Sequence, residues 1–200
     1  MRIPYALSIA AVLCAVALHG ESNERLSIMQ RLNSTKETID AFAVTHHDSP
    51  PGRSSETRWK VSRIEGCTLE LRQTIHREEP DSVLVNGDVL GLSEDRILTW
   101  NFDLADFRPQ FVMADTIGGA HLSIFAQGDA FHFKTDVISR NVRRDGTIAR
   151  TSTWSSPGTA SNLWIYFNAP DGDNNQVIKR VQSDLQGAVV QCITLAKARR

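Results

Sequence analysis

The order of apolar and polar positions divides the chain into stretches of different period. Ala6–Leu18 carries hardly a polar residue. Over residues 22–44, Leu26, Met29, Leu32, Ile39 and Phe42 recur at spacings near three, four and seven. That spacing predicts a helix, capped by Ser22, whose thin apolar stripe needs tertiary contact to hold it. From Thr57 the period shortens to two. Trp59, Val61 and Ile64 point one way, Gly66 interrupts, and Cys67, Leu69, Leu71, Gln73 and Ile75 share the next face, which predicts a hairpin. At the far end Ile178, Val181, Leu185, Ala188, Cys192 and Leu195 form one apolar seam along about five helical turns.

Turn chemistry organises what lies between. A weaker strand is expected at Ser82–Leu90, containing the Asn86-Gly87 turn signal. Ile97–Leu104 is a strand, and Arg108-Pro109 opens another that ends at Gly118-Gly119. His121–Ala126 and Phe131–Ile138 flank Gly128-Asp129, and Asp145-Gly146 leads into Thr147–Trp154. Ser155–Ser161 reads as a loop and Leu163–Phe167 as the last strand. Asp173 followed by Gln176 reads as a capping box for the final helix, with Lys197, Arg199 and Arg200 at its negative end. The fold class is therefore α+β: a mostly antiparallel sheet, curled or closed into a barrel, with an N-terminal helix and a long amphipathic C-terminal helix packed on it. The expected divisions are a signal peptide at 1–20, a helix at 21–44, a linker at 45–56 (two prolines, a glycine and small polar residues), and a β domain at 57–200 with its helix at 174–198. Curled sheets or a barrel followed by a capping helix resembles the architecture of pleckstrin-homology-like domains over residues 57–198. That resemblance implies a fold and no function.

Composition bounds the setting. Arg2, the short apolar stretch and the small residues Ala15, Ala17 and Gly20 read as a secretory signal peptide, too short to span a bilayer of roughly 30 Å. Export makes the expected location secreted or periplasmic, with no stable membrane span after cleavage. Leu13 ahead of Cys14 does not suit lipoprotein processing. The net charge of −1 becomes −2 once Arg2 is removed, and the basic residues are spread along the chain. A nucleic-acid partner would need them concentrated on one face. The nearest to a cluster, Arg140, Arg143 and Arg144, sits beside an expected turn. Cys67 and Cys192 form an even pair in an oxidising compartment. A bridge between them would close a loop of about 125 residues and contribute roughly 4 kcal/mol in the chain-entropy model. Two buried thiols are the alternative.

Candidate chemistry is sparse. If Gly128-Asp129 were a two-residue hairpin turn, His121 would face Asp136, Ser123 would face Lys134, and Phe125 would face His132, all on the outer side of the ribbon. A serine, two histidines and a carboxylate sharing one patch would suit a hydrolase. No Gly-x-Ser-x-Gly elbow surrounds Ser123, however, and a flat outer sheet face does not exclude water. His46-His47 in a linker and the calcium-loop-like Asp171-Gly172-Asp173 each lack a ligand set, so no metal or other cofactor is expected. Asn33-Ser34-Thr35 is a formal glycosylation sequon. The tryptophans Trp59, Trp100, Trp154 and Trp164 all fall in expected strands, where they pack a core or stack on a ligand. The expectation is a non-catalytic binding or interaction module of the cell envelope or extracellular space, its partner a small apolar ligand or an envelope protein. The alternatives are a hydrolase using His121, His132 and Asp136, and an envelope scaffold.

Overall fold

A computed structural model describes residues 6–49, 52–85, 88–115, 120–126, 131–169 and 173–198. Helix α1 spans Ala6–Phe42. The strands are β1 (Val44–Ser49), β2 (Arg53–Glu65), β3 (Thr68–Val85), β4 (Asp88–Asp103), β5 (Val112–Asp115), β6 (His121–Phe125), β7 (Phe131–Val142), β8 (Ile148–Ala160) and β9 (Asn162–Tyr166). Helix α2 spans Asn174–Ala198. The strands form two sheets, a large one in the order β1-β2-β3-β4-β7-β8 and a small one in the order β5-β6-β9. All the pairings are antiparallel. The architecture is α+β, and the sheets stay open. The barrel closure that the pleckstrin-homology-like element order implied does not form, because β1 and β8 remain unjoined edges of the large sheet.

The large sheet owes its inner face to the period-two runs. Val61 faces Leu71, Leu71 faces Trp100, Trp100 faces Phe133, and Phe133 faces Gly158. The rings of Trp100 and Phe133 lie 4.2 Å apart and those of Trp59 and Trp100 6.4 Å apart. The β2–β3 turn is the expected one, with Glu65 opposite Thr68 and Gly66 at φ 56°. A bulge between Val61 and Arg63 returns Ile64 to the inner face. Val85 faces Asp88, and the Asn86-Gly87 expected as a turn lies outside the described residues. What reads as a weak separate strand at Ser82–Leu90 instead supplies the far end of β3 and the start of β4.

Three further expectations change. Residues 45–56, expected as a linker, supply β1 and the start of β2, paired from Val44–Arg58 to Ser49–Arg53. An edge strand solvated on both faces carries no apolar alternation, so its composition resembles that of a loop. Ser155–Ser161, expected as a loop, continues β8 as far as Ala160, where Gly158 leaves room for the Phe133 ring. The buried face of α1 is formed by Ile28, Leu32, Thr35 and Ile39, and Leu26 is exposed.

Helix α2 follows its seam. Ile178, Val181, Leu185, Ala188, Cys192 and Leu195 are all buried, joined by Val189. Asp173 caps it, its Oδ1 accepting from Gln176 N at 3.2 Å. The helix packs on α1 and on the small sheet. Gln182 Nε2 donates to the Val112 carbonyl at 3.0 Å, and Gln186 Nε2 donates to the same carbonyl at 2.9 Å and to Pro109 O at 3.1 Å. A Cys67–Cys192 disulfide, Cα–Cα 5.8 Å, ties its last turns to the β2–β3 turn. The end of α1 is held too: Trp59 N donates to Ala43 O, Asn168 N to Phe42 O, and Val61 N to the Asp40 carboxylate at 2.8 Å. Among the described residues no helix is long and apolar enough to cross a membrane.

Candidate functional site

The small sheet is apolar on its inner face, as a sheet packed on a core must be. Val112, Leu122, Ile124, Leu163 and Ile165 are buried there against α2 and the rest of the core. Its outer face is the unusual one. The register sets Met113, Ser123 and Trp164 side by side in one row, and Asp115, His121 and Tyr166 in the next, with Phe125 opposite Asn162 beyond them. Trp164 is 50% exposed, Met113 50% and Tyr166 37%. The His121 ring lies 5.0 Å from that of Tyr166 and 6.3 Å from that of Trp164, edge-on to the indole. Ser123 is buried between Met113 and Trp164. The result is a face of aromatic and sulfur-bearing side chains edged by a carboxylate, an imidazole and an amide.

The residues that sequence reasoning grouped as an acid–base cluster are divided between the two sheets. His121 and Ser123 lie on β6, which pairs with β5 and β9. His132, Lys134 and Asp136 lie on β7, which pairs with β4 and β8. The β6–β7 hairpin expected at Gly128-Asp129 therefore does not form, and that dipeptide itself lies outside the described residues. Both strands have the alternation of hairpin arms, but each has both of its edges taken by other strands, β6 by β5 and β9, and β7 by β4 and β8. His132 is exposed opposite Thr159. Asp136 pairs with Lys134 at 3.0 Å, and Lys134, followed by Ser155, holds its carboxyl below the usual range.

The four tryptophans separate in the same way. Trp59 and Trp100 are core residues. Trp154 is half-exposed on edge strand β8, opposite Val137, and Trp164 belongs to the aromatic face. Sequence reasoning missed Met113 and Tyr166 as members of that face. The available signal was the run Leu163–Phe167, in which both alternating sets are large and apolar or aromatic, so a strand cannot hide both in one core.

Elsewhere charged side chains pair across the large sheet. On the outer face of the large sheet His46, Glu56, His76 and Asp95 occupy one cross-strand row. His76 Nδ1 lies 2.7 Å from Asp95, which also accepts from Arg140 at 2.6 Å. The Asp95 hydrogen bond raises the pKa of His76, and Arg140, then His76, lowers that of Asp95. Among the described residues no group of three or more His, Cys, Asp or Glu is placed to hold a metal ion. A cavity of about 480 Å³ at the far end of the large sheet is lined by Glu78, Asp81, Arg143 and Arg144 among others. Its cations are engaged, Arg144 with Asp81 at 3.2 Å and Arg143 with the Thr147 hydroxyl at 3.2 Å. Compared with protein-family models, with curated proteins and with solved structures, the chain matches none.

Proposed function

We propose that this chain is an exported, non-catalytic binding module, secreted or periplasmic, that engages its ligand through the outer face of the small sheet. The observation that carries the reading is the half-exposure of Trp164, Met113 and Tyr166 on one face of a sheet whose other face is already packed. Scattered exposed apolar residues are ordinary, whereas several gathered in adjacent register positions mark an interaction surface. Trp, Tyr and Met are also the residues that binding surfaces favour. Export rests on the N-terminal apolar stretch behind Arg2 and on a disulfide of the kind that oxidising compartments preserve. The hydrolase alternative drew its support from a β6–β7 hairpin, and β6 and β7 pair with other strands.

Native mass spectrometry of protein exported from its own type of host tests the reading. The wild type is expected to carry an added mass that Trp164→Ala loses and Trp154→Ala keeps, with unchanged melting temperatures showing that both variants fold. A wild type that carries no added mass, and gives identical amide spectra with and without envelope and culture-medium extracts, would sink it.

A further inference from the structure

We infer that β8 is the edge along which two copies of this chain pair, continuing the large sheet of one copy into that of the other. A sheet edge leaves a row of backbone N–H and C=O groups unpaired, and native proteins protect such edges by keeping them short or charged. β1, the opposite edge, has both protections: it is 6 residues long, and His46, His47 and Asp48 fill half of it. β8 has neither. It runs for 13 residues, and every residue from Ile148 to Ser155 is exposed. Its one charge, Arg150, and its one proline, Pro157, bracket the run Thr151–Ser156 without interrupting it. Threonine and tryptophan within that run favour extended pairing.

Register determines which groups of β8 turn outward. Trp59 N donates to Ala43 O, so Trp59 turns its backbone toward the β1 side. Opposite pairs in an antiparallel sheet alternate between bonded and unbonded. Carried across the sheet, that alternation puts Gln73 with Leu98 and Thr135 with Ser156 in bonded pairs. It leaves Thr151, Thr153, Ser155 and Pro157 facing away from β7. Pro157 agrees, since a proline keeps its place in a paired strand where the side lacking an N–H faces out. Ala149 is the residue that the shift of the β7–β8 register leaves without an opposite. An antiparallel partner therefore uses Thr151, Thr153 and Ser155 together when a two-fold axis passes through Thr153. In that register Thr153 meets its own copy, Thr151 meets Ser155, Ser152 meets Trp154, and Arg150 meets Ser156. Like charges do not meet, and a favourable Thr–Thr pair lies at the centre. Trp154, 49% exposed beside buried Val137, stands diagonal to its own copy at about 7–8 Å, within reach of a second indole. A foreign strand would be selected by charges, and Thr151–Ser156 carries none, whereas the isologous contact of a closed dimer needs only self-complementarity. The pairing does not draw on the aromatic face of the small sheet, so it stands or falls apart from the binding reading.

Sedimentation equilibrium of the same exported protein, between about 10 µM and about 1 mM, tests the pairing. One strand pair buries little surface, so the dimer is expected to be weak, half associated at or below about 0.1 mM. Thr153→Pro removes the outward N–H at the centre and none of the bonds to β7, and should raise the dissociation constant about tenfold or more. Thr153→Val keeps that N–H and should associate as the wild type does. Hydrogen exchange on the wild type gives a reading that no substitution can disturb. The amides of Thr151, Thr153 and Ser155 should slow as concentration rises, while those of Ser152 and Trp154, turned toward β7, stay as they are. A wild type still monomeric at about 1 mM overturns the inference. So does a dimer in which the amides of Thr151, Thr153 and Ser155 exchange as in the monomer, or one that Thr153→Pro leaves intact at an unchanged melting temperature. If Thr153→Pro melts earlier than the wild type, the exchange of those three amides decides alone.

Discussion

Replacing both Cys67 and Cys192 by alanine should remove a large part of this protein's stability without altering its architecture. The bridge spans 125 residues of sequence. In the chain-entropy model a loop of that length restricts the unfolded chain by about 4–5 kcal/mol. A chain of this size is expected to be stable by about 5–15 kcal/mol in all, so the loss lies between a third and nearly the whole. Packing adds little to the difference. Cys192 is buried, but α2 stays anchored by Ile178, Val181, Leu185 and Val189, and by the bonds of Gln182 and Gln186 to the Val112 carbonyl at the start of β5. The change should therefore concentrate in the last turns of α2 and the β2–β3 turn that the bridge joins. Equilibrium urea unfolding followed by far-ultraviolet circular dichroism reads the effect. With a slope of about 2–3 kcal/mol per molar, the midpoint should fall by about 2 M. Hydrogen exchange should speed most in residues 192–198. Mass spectrometry of the wild type must first find two hydrogens fewer than the reduced chain. If the bridge is present and the midpoint of the double variant falls by less than about 0.5 M, the loop-restriction argument is refuted.

Two further expectations follow from particular contacts. Gly158→Ala places a Cβ 2.3 Å from the edge of the Phe133 ring, which Trp100 hems in at 4.2 Å, so the ring cannot retreat freely; the melting temperature should drop by the equivalent of about 1–3 kcal/mol, and an unchanged value would mean that β8 is not seated as described. His76 is raised above its ordinary 6.5 by Asp95, so its contribution is fully present below that value and is lost as pH rises through the raised one. Asp95, held below its ordinary 3.8, contributes above that value and loses its contribution as pH falls through the lowered one. The stability advantage of wild type over His76→Gln should therefore shrink as pH rises above 6.5, and thermal melts that keep a constant difference through that rise would contradict the assignment.

The amino-acid sequence by itself determined the elements whose signal is periodic burial. The seam of α2 is complete in the spacing from Ile178 to Leu195, because a helix packed on one side must repeat apolar positions near 3.6 residues, and each of those six residues is buried. The β2–β3 hairpin is equally legible, since both arms alternate apart from the bulge before Ile64 and Gly66 stands where the turn needs a positive φ. Two cysteines beyond the N-terminal apolar stretch left a bridge or two buried thiols open, and the structure has the Cys67–Cys192 bridge. Tertiary structure alone decided which strands are neighbours. Alternation states that a strand has a buried side but not which partner covers its edges, so the arms around Gly128-Asp129 read as a hairpin while β6 and β7 join different sheets. Solvated strands gave no alternation at all, and β1 and the end of β8 therefore passed for linker and loop. The face of α1 was decided by what packs against it, and a buried Thr35 took a place that an apolar residue would have marked. The aromatic face belongs to the same class. Trp164 reads like any core tryptophan in a strand, and it lies in water because Leu163, Ile165 and Phe167 occupy the only side of the small sheet that α2 and the core cover.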